Sequence, residues 1–140
     1  MKHQFRDETI HIATGGRDFD ATGKVVMLIH GSGQNHLTWI LQSRYLAHRG
    51  FSILAPDFPG HGLSSGEALK SVEDQAAWII ELLESLAVSQ YSLVGHSQGA
   101  LVSLETAIQV PGKIQCLCLI AGAMSIPVND YLIDTSEKTM

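Results

Sequence analysis

The stretch YSLVGHSQGALVSL, residues 91–104, decides the fold. An apolar run stops at Gly95, a serine stands alone between two glycines, and an apolar run resumes after Gly99. The first run reads as a buried strand and the second as a helix with apolar residues at helical spacing. Gly95-His96-Ser97-Gln98-Gly99 fits G-x-S-x-G. A serine raised on a sharp strand-to-helix turn needs small flanking residues, so that strand and helix can cross closely. The helix N-terminus then lies beneath it, and its free N–H groups can stabilise an oxyanion. Ser97 is therefore the candidate nucleophile; the competing reading is a tight turn with an incidental hydroxyl. His96 is a poor base for it, because neighbouring side chains at such a turn point in different directions.

Working outward, VVMLIHG (residues 25–31) is continuously apolar and ends at glycine, as a strand covered on both faces does. In an open parallel sheet, ligands bind beyond the carboxyl ends of the strands. The loop at 31–35 should share that edge with Ser97, where one of its backbone N–H groups can join that of Gln98. DFPGHGLSSG, residues 57–66, forms a third loop at this edge. Its Asp57 and His61 read as parts of a rigid wall held by Pro59 and glycines. GSGQNH has His36 where a dinucleotide fingerprint needs its third glycine, and ATGKV lacks both the Ser/Thr and the first glycine of a phosphate loop. No cofactor is expected. His30, His36 and His61 lack metal-ligand spacing, so no metal is expected.

FSILAPDFPG supplies another buried strand, and KIQCLCLIAGA a fourth. Ahead of the first of these, residues 38–48 form a helix that Gly50 can end. Ser71 caps a longer helix from Val72, with Ala76, Ile79, Ile80, Leu83 and Leu86 facing the core. Residues 4–14 suggest a short hairpin or paired edge strands around the glycine- and aspartate-rich stretch that follows. Strand and helix alternate, the signature of βαβ units in a mostly parallel sheet.

With 140 residues and 45% hydrophobic residues, the chain amounts to one domain with a real core. A net charge of -5 and the lack of a Lys/Arg cluster argue against nucleic acid. No apolar run can span a bilayer, and the first residues do not form a secretory signal. The expected location is cytoplasmic, with no membrane insertion. Cys116 and Cys118 share one strand and are expected as buried core thiols, since their geometry suits neither a disulfide nor a structural zinc site.

VVMLIHGSG, APDFPGHGLSSG and YSLVGHSQG occur in the order and spacing of the α/β-hydrolase family, and over about residues 5–125 the chain resembles it. The resemblance implies a partial α/β-hydrolase fold: a mostly parallel central sheet with flanking helices, ending after about the sixth strand. It implies Ser97 as nucleophile and the backbone N–H groups of Ser32 and Gln98 as the oxyanion hole. The implied activity is hydrolysis of an ester or related acyl substrate through an acyl-enzyme on Ser97. In the family the acid and then the histidine follow the nucleophile. Here every histidine precedes Ser97. Asp130 and Asp134 fall where the lead-in to a cap would be. The expectation is thus the N-terminal part of one hydrolase domain over residues 1–140, with the cap beginning at 123–140. Such a chain would be inactive alone: a truncated product, an expression fragment or one piece of a split protein. The alternative is a non-catalytic fragment or binding subunit, self-associating through the exposed edge strand at 114–120.

Overall fold

The computed structural model describes residues 1–123. Strands β1 (Lys2–Phe5) and β2 (Glu8–Ala13) form a hairpin. Then follow β3 (Lys24–Ile29), helix α1 (Ile40–Ala47), β4 (Phe51–Pro56), α2 (Val72–Ser85), β5 (Tyr91–His96), α3 (Gln98–Gln109) and β6 (Ile114–Ile120). They build a six-stranded sheet in the order β1-β2-β4-β3-β5-β6. The four strands from β3 onward run parallel, and the hairpin adds antiparallel strands beside β4. This is a mostly parallel sheet with flanking helices, as the sequence implied.

The unbroken apolar run of β3 has a simple cause. Its side chains alternate between faces, and both faces are covered. Val25, Met27 and Ile29 pack with Trp78, Ile79 and Leu82 of α2 and Val102 of α3. Val26 and Leu28 pack with Trp39 and Ala47 on the α1 side. From β3 the chain first goes to β4 on one side, then crosses to β5 on the other. The carboxyl ends of β3 and β5 are therefore neighbours across a reversal of strand order, with Ile29 paired to Gly95.

Three expectations change. The hairpin turns at Arg6–Asp7, not in the glycine-rich stretch, and Arg6 takes a positive φ of 55° to allow it. The buried face of α2 is wider than its Ala/Ile/Leu spacing suggests: Gln75, Trp78 and Leu82 are also buried, while Ile80 is only half-buried. Cys116 and Cys118, expected inside, are both exposed. Strand β6 is the sheet edge, and no described element covers its outer face. The expected start of a cap, apart from residue 123, lies outside the described residues.

Local signals set the helix ends. Gly50, at φ 90°, ends the turn after α1. The Ser71 hydroxyl accepts from the Asp74 backbone N–H at 3.0 Å and caps α2. Replacing Ser71 by Ala should lower stability by about 1 kcal/mol. Urea unfolding of the two proteins measures this; an unchanged midpoint would show that α2 is held by packing alone.

Candidate functional site

Three loops leave the carboxyl edge of the sheet, and glycine geometry brings two of them together. A Cβ at Gly99 would collide with the carbonyl oxygen of Ile29, and one at Gly95 would meet the Gly99 oxygen and the Ser103 hydroxyl. The start of α3 therefore lies directly against β3 and β5. Ser97 joins β5 to α3 with φ 56° and ψ -120°, backbone that a residue with a Cβ rarely adopts. From the other side, a Cβ at Gly31 would stand 3.1 Å from the Ser97 Cβ. The loop after β3 thus faces the serine.

The backbone N–H groups of Ser32 and Gln98 have no intramolecular partner among the described residues. For Gln98 this follows from its place in the first turn of α3. Ser32 is exposed, and Ser97 and Gln98 are half-buried, so a ligand at this edge has access to all three. No described side chain makes a hydrogen bond with the Ser97 hydroxyl. His96 is not bonded to it: its Nδ1 donates to Gln34 Oε1 at 3.3 Å.

Gln34 is a residue that spacing could not single out. Its Oε1 also accepts from the Gly31 N–H at 3.1 Å and the Thr38 hydroxyl at 3.3 Å. One amide oxygen thereby ties the loop after β3 to the residue before Ser97.

His30 and Asp57 fasten the loop after β4. The Phe58 N–H donates to His30 Nε2 at 3.2 Å, so the proton of the neutral ring resides on Nδ1, which donates to the Gly31 oxygen at 2.8 Å. Burial holds the pKa of His30 below its ordinary 6.5, against the opposing effect of the Gly31 hydrogen bond. Asp57 is fully buried. Its carboxylate accepts from the His36 N–H at 2.6 Å, the Leu63 N–H at 2.8 Å and His36 Nδ1 at 2.9 Å. Gly62 is required beside it, since a Cβ there would overlap the carboxylate. The reading of 57–66 as a braced wall holds, and His61 shares in it by donating from Nδ1 to the Pro59 oxygen at 2.9 Å.

Spacing suggested no metal-ligand set. The fold nevertheless brings His11 of β2 beside His36 and Asp57, with one ligand atom of each within 4.8 Å of the others. These residues come from three separate segments, so no linear motif marks them.

The comparisons agree with this architecture. A family described as alpha/beta hydrolase fold matches residues 24–138. An uncharacterized protein of Mycobacterium tuberculosis (strain ATCC 25618 / H37Rv) is 37% identical over 128 residues, covering 90% of this chain and 37% of that protein. Among solved structures, a membrane phospholipase A described as a bacterial virulence factor superposes with a TM-score of 0.80 at 26% identity, covering 100% of this chain and 45% of that one. The thioesterase domain from the curacin biosynthetic pathway gives 0.76 at 27% identity, covering 99% and 50%. The chain spans half or less of the length of each. Among the described residues, no helix is long and apolar enough to cross a membrane.

The neutral, buried His30 predicts a pH effect on stability. Its folded pKa lies below 6.5, so the unfolded chain takes up the proton first as pH falls. The stability that depends on neutral His30 is complete above about pH 6.5 and declines as pH drops towards the folded value. His11 is shifted in the same direction, chiefly by burial. Urea unfolding at pH 7.5 and 5.5 should show lower stability at the acid value. His30→Asn should be less stable at both and show a smaller acid decrement; an equal decrement would remove His30 as a cause.

Proposed function

The chain belongs to the alpha/beta-hydrolase family, and from that premise we propose that it carries the nucleophile side of a serine hydrolase acting on an ester or related acyl substrate. The observation that supports this reading is the placement of Ser97. It stands at positive φ between β5 and the N-terminus of α3, opposite Gly31 and the free N–H of Ser32. In the proposed reaction Ser97 Oγ attacks the substrate carbonyl carbon, and a base takes the hydroxyl proton. The electron pair moves onto the carbonyl oxygen, which the N–H groups of Ser32 and Gln98 receive. The leaving group departs with the proton, and water then releases the acid from the acyl-enzyme. The likeness to a phospholipase A and a thioesterase domain favours an oxygen ester or thioester. Base and acid come from outside the described residues, and a cap beginning at 123–140 would set specificity. Residues 1–140 are then the N-terminal part of a single hydrolase domain.

A second reading has its own support. No described base reaches Ser97, and β6 lies open at the sheet edge with Leu119 and Ile120 exposed. Such a chain can be non-catalytic and act by association through that edge. The two readings differ in what the isolated chain and a longer polypeptide do.

The 140-residue chain alone should show no Ser97-dependent hydrolysis of a short activated ester. The longest natural polypeptide carrying these residues should hydrolyse it and form an acyl adduct on Ser97, visible by mass spectrometry. There Ser97→Ala should abolish the adduct and most of the rate. Gln98→Ala should cost little, because alanine keeps the backbone N–H. Gln98→Pro should lose about 3 kcal/mol of transition-state stabilisation, the worth of one oxyanion donor. Undiminished turnover by a folded Ser97→Ala protein would reject the assignment and leave the non-catalytic reading.

The open edge makes a separate prediction. Sedimentation of the 140-residue chain over a range of concentrations should show reversible self-association. Replacing both Leu119 and Ile120 by Lys should weaken it, since charges on an edge strand oppose pairing. A strictly monomeric species at all concentrations would contradict this.

A further inference from the structure

We propose that His11, His36 and Asp57 form a binding site for a divalent zinc-type cation, built from β2 and the loops after β3 and β4. The donor set of two imidazoles and one carboxylate suits Zn²⁺, which takes nitrogen and oxygen ligands at about 2.0–2.2 Å in tetrahedral geometry. Ligand atoms in such a shell stand about 3.3 Å apart. Here one ligand atom from each residue already lies within 4.8 Å of the others. His36 Nδ1 is 2.9 Å from both Asp57 carboxylate oxygens. His11 is half-buried, its ring centroid 4.5 Å from that of His36.

The surroundings favour an ion over a purely structural pair. Asp57 is fully buried, yet only two of its hydrogen bonds come from backbone, the His36 and Leu63 N–H groups. A carboxylate offers about four lone-pair sites, so the ion can replace the bond from His36 Nδ1 without disturbing either loop. As the nitrogen–metal bond forms at Nδ1, the ring keeps its single proton, which moves through solvent to Nε2. The His11 ring makes no hydrogen bond among the described residues, so its donor atom is free. Beside the cluster lies a cleft of about 300 Å³ lined by His11, His36, Thr14, Ser43 and Arg44. The fourth coordination position opens there, where water or a small anion can complete the shell. The bound ion would link β2 to the loop that carries Ser32. The proposal stands independently of the role assigned to Ser97.

The test is calorimetric titration of Zn²⁺ into the 140-residue chain. Cys116→Ser and Cys118→Ser remove the two exposed thiols as rival ligands. One saturable site per chain is expected, with no binding of Mg²⁺. His11→Gln and His36→Gln should each weaken Zn²⁺ binding at least about tenfold. Zn²⁺ should raise the thermal unfolding midpoint of the parent but not of His11→Gln. If His36→Gln loses its circular dichroism signature, His11→Gln decides, because its ring braces nothing by hydrogen bonding. Absence of a saturable site, or Zn²⁺ affinity unchanged in folded His11→Gln, overturns the proposal.

Discussion

The close crossing of α3 over β3 and β5 is the constraint from which the rest of this molecule follows. Two missing Cβ atoms permit it. At Gly99 the helix backbone rests on the Ile29 carbonyl, and at Gly95 the strand backbone rests on the Gly99 carbonyl and the Ser103 hydroxyl. An added methyl at either place would have to push backbone, which a packed interior resists. With helix and strand this close, the connecting residue has little room to turn. Ser97 meets the demand at φ 56°, a conformation that costs of order 1–3 kcal/mol and persists only where its surroundings hold it. Tight packing of Val102 and Ala100 under the sheet is what holds it here.

The same crossing organises the loops. Because α3 sits hard against the end of β3, the chain leaving β3 must pass in front of Ser97, and Gly31 is the residue that passes. Three polar side chains then fix its path. Gln34 ties it to His96, His30 ties it to Phe58, and Asp57 ties it to Leu63 through His36. The bonds to His96, to Phe58 and from His36 to Asp57 join segments distant in sequence, and each is at least half-buried. Leaving one partner unsatisfied there costs more than the bond itself contributes.

How much of this was legible in the sequence depends on whether the cause is local. The β3 run, the Gly-x-Ser-x-Gly turn, Ser71 as a cap and Gly50 as a stop all act within a few residues of themselves, and each can be read directly. The Arg6–Asp7 turn was missed because Arg6 adopts a positive φ without being glycine, Asn or Asp, and so gives no signal. Trp78 and Gln75 were missed because α2 packs against α3 as well as the sheet, which widens its buried face. Cys116 and Cys118 misled for the opposite reason. An apolar strand predicts burial only if something covers it, and that depends on elements elsewhere. For the candidate site, Ser97 and Gln98 could be named from a motif, and Ser32 from resemblance. Gln34, and the meeting of His11 with His36, could not, since their partners lie on other strands.

The commitments of the polar side chains show how the loops around Ser97 are shaped. His30 has both ring nitrogens engaged, one as donor to Gly31 and one as acceptor from Phe58. His36 is bound to Asp57, and the carboxylate of Asp57 is shared among three donors. His61 and His96 each use Nδ1 to hold loop atoms, which fixes the plane of the ring. Among the described residues none of these histidines is hydrogen-bonded to Ser97, and their bonds shape the loops after β3 and β4. This part of the fold thus shapes the loops at the sheet edge and holds Ser97 at the turn between β5 and α3.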